Sequence, residues 1–176
     1  MRRRRIRRRR TRGWGLSFFP IQRRYSKAPN PSSETNEETK RIRYPTFRQV
    51  IQVYKRIIEE TGGEFGILSE GNLRFTLDFV KYYGEDVFDK VAYLMYNIVV
   101  LHPFVNGNKR TAIVLAEAFL RDNGWQLVYD EEEAKRFLLE IASGQRTLED
   151  VKAWIKKHAK HISEERATQA GGNHEP

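Results

Sequence analysis

Eleven consecutive residues, Val91 to Leu101, are apolar or aromatic apart from Asn97. Wound as a helix, such a run is apolar on every side and must be surrounded by other elements. It is too short to cross a bilayer, which takes roughly 20 residues. The sequence therefore has to build a shell around one central helix. His102-Pro103 ends that helix, because proline lacks an N–H and disfavours helical backbone in the residue before it.

The shell is legible on both sides. Thr46 and Gln49 have capping-box spacing, and Phe47, Val50, Ile51, Tyr54, Ile57 and Ile58 recur at helical intervals until Gly62-Gly63. A second helix is expected from about Asn72 to Tyr83, and the central one from about Asp86 to Leu101. A fourth is expected from about Asn108 to Asn123, a fifth from about Glu131 to Ala142, and a sixth from Thr147, capped with Asp150, to near His161. Trp125–Tyr129 reads as a short extended piece. The glycine-punctuated segment Gly62–Leu68, with Phe65 and Ile67 in alternation, reads as a small hairpin. The expected fold is all-α, about six helices with a hairpin-like flap.

Charge separates the body from its leading segment. Residues 1–43 hold 15 Lys and Arg against 3 Asp and Glu, whereas residues 44–176 hold 17 against 20. Nine arginines crowd Met1–Arg12, a block that repels itself, and residues 26–39 are rich in Ser, Pro, Asn, Thr and Glu. The reading is a disordered Arg-rich tail and linker over 1–43, a folded domain over 44–162 and a disordered tail over 163–176. The apolar stretch Trp14–Ile21 is too short and too basic downstream for a signal peptide. Cysteine is absent, which removes disulfides and thiolate metal sites. A cytoplasmic protein without a membrane anchor is expected. An arginine tail can bind nucleic acid through its phosphates, non-specifically. His158 and His161 are expected on the surface of the last helix, His174 in the tail, and Trp125 and Trp154 as packing anchors.

The chemistry gathers in His102-Pro103-Phe104-Val105-Asn106-Gly107-Asn108-Lys109-Arg110-Thr111, between the central helix and the next. Gly107 permits a left-handed turn into the new helix, whose first N–H groups and positive dipole end favour an anion. Lys109 and Arg110 in that first turn oppose the dipole, a cost that a bound phosphate would offset. His102 at the mouth can move a proton near neutral pH. Phe104 anchors the loop. Each feature has an ordinary explanation by itself: histidines cap helices, basic pairs are solvated, Gly-Asn makes turns. Together, between two helices, they point to a phosphate loop with its base.

This segment resembles the Fic/Doc family signature, His-x-Phe-x-(Asp/Glu/Asn)-(Gly/Ala)-Asn-(Gly/Lys)-Arg. It is most similar to the Doc, or death-on-curing, branch, where Asn-Lys-Arg-Thr replaces Asn-Gly-Arg. Gly62–Ile67 resembles the family's flap, and Ala118–Gly124 the end of its fourth-helix pattern. The resemblance implies a nucleotide-dependent transferase using ATP and Mg²⁺. His102 would activate a target hydroxyl. Asn108 and the Gly107–Lys109 backbone would hold phosphate oxygens, and Lys109 and Arg110 would neutralise phosphate and transition-state charge. Asn106 stands where many members carry the Mg²⁺-binding carboxylate, and as an amide it is a poorer metal ligand. Gly63, Glu64, Phe65, Gly66 and Ile67 would form the flap on which the target docks. Ile113 replaces the second arginine of Fic enzymes.

These departures favour phosphoryl transfer to a Ser or Thr hydroxyl of a target protein, with elongation factor Tu as the implied substrate. The alternatives are Fic-type AMP transfer, a non-catalytic fold kept for binding, and nucleic-acid binding through the tail. The family's inhibitory Ser/Thr-x-x-x-Glu-Gly/Asn motif finds no match, since Gly66 precedes Glu70-Gly71 by that spacing. A separate antitoxin is therefore the expected inhibitor.

Overall fold

In the computed structural model, residues 41–162 are described. The arginine block, the linker up to residue 40, and the tail from residue 163 with His174 lie outside them. Six helices form: α1 (Phe47–Thr61), α2 (Glu70–Phe79), α3 (Val87–Leu101), α4 (Asn108–Asp122), α5 (Glu131–Ala142) and α6 (Leu148–His158). The expected all-α bundle is what forms. None of these helices is long and apolar enough to cross a membrane.

The central position of α3 follows from its sequence. Val91, Ala92, Leu94, Met95, Ile98 and Val99 are all buried, and α3 packs against α2, α4, α5 and α6. Its start is fixed by Asp86 and Asp89, each accepting from the other's backbone N–H. Asp89 also meets the Lys152 ammonium of α6. Burial by itself would raise the Asp89 carboxyl. The Lys152 ammonium and the N–H groups of Asp86 and Glu85 outweigh that and hold it at about 2. Lys90 is buried as well, and its ammonium donates to the carbonyls of Lys81, Tyr83 and Gly84 at 3.0–3.2 Å. A buried ammonium is tolerated because its donors are used, and here they close the turn between α2 and α3.

Four local expectations need correction. The second helix starts at Glu70, because Ser69 caps it by accepting from Asn72 N–H, and it stops at Phe79, before the turn that Lys90 gathers. The sixth helix ends at His158. Beyond it Ala159–His161 is a strand, β2, antiparallel to β1 (Trp125–Leu127). His158 is buried, its Nδ1 bonded to the Trp154 carbonyl at 2.8 Å, so it is no surface residue. Gly62–Leu68 forms no hairpin. It is a single extended pass whose Ile67 bridges to Phe104.

The packing also reaches upstream of Tyr44. Ile42 lies against the core, and the Arg43 backbone makes two bonds with the Asn123 side chain, at 2.9 and 3.0 Å.

Candidate active site

The chain leaves α3 through His102, whose backbone is left-handed at φ 45°, ψ 57°. It is the only non-glycine with positive φ among the described residues. An L-residue holds that conformation only when its surroundings enforce it, and such strain concentrates where chemistry needs a side chain aimed. Pro103 accounts for the end of the right-handed helix at 102. The ring stays exposed, with Nδ1 3.1 Å from the Val100 carbonyl. A carbonyl can only accept, so Nδ1 carries the proton in this contact. Nε2 of the neutral ring is then left with its lone pair.

Phe104 is fully buried and stacks on Tyr54 of α1, centroids 3.9 Å apart. The Asn108 side chain spans the loop behind it, accepting from Phe104 N–H at 3.0 Å and donating to Phe104 carbonyl at 2.7 Å. Both ends of that amide are therefore spent on the loop itself. The side chain shapes the loop, and what Asn108 offers an anion is its backbone N–H.

Gly107 turns the chain into α4 at φ 76°, where a Cβ would also lie 3.0 Å from Ile58 Cδ1. The first intrahelical bond of α4 is Thr111 N–H to the Gly107 carbonyl, 2.8 Å. The N–H groups of Asn108 and Lys109 precede it and take no partner among the described residues. Lys109 makes no ion pair there either. Unpaired N–H groups, a positive helix end and an ammonium make a strong attractor for phosphate.

Arg110 sits in the same first turn of α4. Its guanidinium reaches the C-terminus of α1, bonding the Thr61 hydroxyl and the Gly62 carbonyl. Partial burial lowers its pKa, though it stays charged. In this arrangement it braces α1 against α4 beside the loop. Ile113, where Fic enzymes place a second arginine, is buried in the core.

Asn106 stands where a metal-binding carboxylate would be. Its carbonyl oxygen accepts from Glu64 N–H at 2.8 Å and its NH₂ donates to the Val105 carbonyl at 2.8 Å. No cluster of three or more His, Asp or Glu suited to a metal exists among the described residues. The residues present do not fit a protein-held Mg²⁺ at Asn106.

The flap lies along this loop. Val105 N–H donates to the Gly66 carbonyl, 2.9 Å, and Leu68 N–H to the Pro103 carbonyl, 2.8 Å. A Cβ on Gly66 would sit 2.7 Å from Val105 Cγ2, so a larger residue there would have to displace that side chain. The backbone groups of Phe65 and Ile67 point to the other edge and take no partner among the described residues.

The family model described as Fic/DOC matches residues 44–120. Residues 44–120, less than half of the chain, are thus similar to the Fic/DOC family. The curated protein Toxin Doc of Mycolicibacterium smegmatis is 36% identical over 77 residues, 40% of this chain and 59% of that protein. The match ends within α4, so α5, α6 and the strand pair lie beyond it. The Fic/Doc motif accounts for His102, Phe104 and Gly107–Arg110. It does not account for Tyr54, whose helical spacing marks it as core and nothing more. Its one signal is a hydroxyl on an otherwise apolar helix face, which a buried tyrosine has to satisfy.

Proposed function

We propose that this chain is a Doc-like, toxin-type protein kinase that moves a phosphoryl group from ATP to a Ser or Thr hydroxyl of a target protein. The observation that carries the reading is the start of α4. Lys109 stands there beside unpaired N–H groups, while Ile113 is buried and offers no second arginine. A Lys at 109 crowds the space that an inner, doubly tethered phosphate would need. A terminal phosphate needs less room, and gains more from the extra charge.

In this reading His102 Nε2 takes the hydroxyl proton, and the freed oxygen forms the new bond to the γ-phosphorus. The bond to the bridging oxygen breaks and ADP leaves. Lys109 and the N–H groups of Asn108 and Lys109 meet the charge that develops on the phosphoryl oxygens. Any Mg²⁺ enters with the nucleotide and is not held by Asn106. The target lies along the open edge of Phe65 and Ile67 as an added strand. The Doc resemblance makes elongation factor Tu the first target to try. The name of the relative supports a toxin, and with it a separate antitoxin chain as partner, acting in the cytoplasm.

The test is transfer of label from ATP carrying it on either the γ- or the α-phosphate. Label on the target from γ-labelled ATP alone is expected. Label from α-labelled ATP alone would replace phosphoryl transfer by AMP transfer within the same family. Lys109→Gly should move the balance toward AMP transfer, read as the ratio of α- to γ-label incorporated.

A further inference from the structure

The site contains a device that neither the motif nor the family match describes. Tyr54 is fully buried in α1, 10 to 12 residues before the flap it touches. Its ring is stacked between two others: Phe104 of the motif loop at 3.9 Å and Phe65 of the flap at 5.0 Å. Its hydroxyl accepts from Gly66 N–H at 3.0 Å and lies 3.0 Å from the Gly66 carbonyl and 3.3 Å from the Glu64 carbonyl. One of those carbonyls takes its proton. A phenylalanine would fill the same space, so the hydroxyl is there for the flap.

Asn106 makes the second tie, from the loop side. It accepts from Glu64 N–H and donates to the Val105 carbonyl, which an amide can do and an ionised carboxylate cannot. A carboxylate at 106 could keep the first bond but would repel the carbonyl in the second.

We infer that Tyr54 and Asn106 are positioning residues that fix the register of the flap against the motif loop, and through it the distance from a docked hydroxyl to His102. The inference rests on the proposed target docking for its kinetic consequence, and on contacts alone for the tether. Edge-on docking transmits any slip of the flap to the hydroxyl, and a displacement of about 1 Å at a reacting centre can cost roughly a hundredfold in rate. Neither residue needs to touch the nucleotide for this. The effect should therefore fall on the target and spare ATP.

Tyr54→Phe and Asn106→Ala, in the full chain, test it by amide hydrogen exchange and by kinetics. Exchange at Glu64 and Gly66 should quicken roughly tenfold while α3 and α4 keep their protection. KM for the target should rise about three- to tenfold, with KM for ATP unchanged within about twofold. Unchanged exchange at 64–68 in both variants would overturn the inference. So would a rise in KM for ATP equal to that for the target. If the wild type transfers neither label, the kinase reading fails and the exchange measurement still decides the tether. If Tyr54→Phe does not fold, Asn106→Ala, on an exposed loop, decides it.

Discussion

The proton on His102 is placed by a carbonyl two residues back in its own chain. Because Val100 takes the Nδ1 hydrogen, Nε2 is the nitrogen left to act as base in the proposed transfer. His102→Ala removes that nitrogen and should lower phosphoryl transfer by about 10²–10⁴-fold. ATP affinity, measured by calorimetry, should stay within about threefold, since the phosphate attractors are on α4. Transfer within threefold of wild type would remove His102 from the chemistry. At this scale the motif could be read from the sequence, but the commitments of its side chains could not. Asn108 turns back on Phe104, and Arg110 reaches Thr61, 49 residues upstream. Pairings across such separations depend on how α1 and α4 come together, which no local spacing encodes. His158 was misplaced for a related reason. A Lys-rich helix end reads as solvated, yet Trp154 one turn earlier draws the imidazole inward.

Helices announced themselves where caps and period agreed. The capping boxes at Thr46, Asp86 and Thr147 fix three starts, each contributing about 1 kcal/mol. Strand β2 had no such signal. Three residues, Ala159-Lys160-His161, carry little preference of their own and become extended because Trp125–Leu127 offers an edge. The flap was legible as a loop with alternation, but its partner was not a second flap strand; it was the motif loop itself. Between elements, the tie of α3 to α6 through Asp89 and Lys152 has a pH signature. The folded carboxyl titrates at about 2, below the ordinary value of roughly 3.9. Its stabilisation is therefore complete above about pH 4 and is lost as pH falls toward 2. Asp89→Asn should lower stability by about 2 kcal/mol at neutral pH. It should also flatten the dependence of the thermal midpoint on pH between about 4 and 2. An acid limb as steep as that of the wild type would contradict this assignment.

For the molecule as a whole, charge and core divide along the chain. The described body carries the core, and the excess of positive charge lies in residues 1–43. A chain of residues 41–162 should keep a cooperative thermal transition, followed by circular dichroism. It should lose any salt-sensitive affinity for DNA or RNA that the full chain has. A shortened chain beginning at Tyr44 should melt earlier, because it lacks Ile42 and the two bonds between Arg43 and Asn123. Equal midpoints for the two would show that those bonds stabilise nothing.

The same corner has a further property. Arg43 is bonded to Asn123, and Ile162 N–H to the carbonyl of the very next residue, Gly124. Entrance and exit of the folded body are thus held side by side. Fold and chain order are then separable: a few Gly and Ser residues could splice Ile162 to Arg41. New ends could open in the exposed stretch Ser143–Thr147. Such a circular permutant would carry the motif loop and the flap in unchanged sequence. It should fold with protection of α3 equal to that of the parent body, measured by amide exchange, while leaving the neighbourhood of Gly124 without a free end.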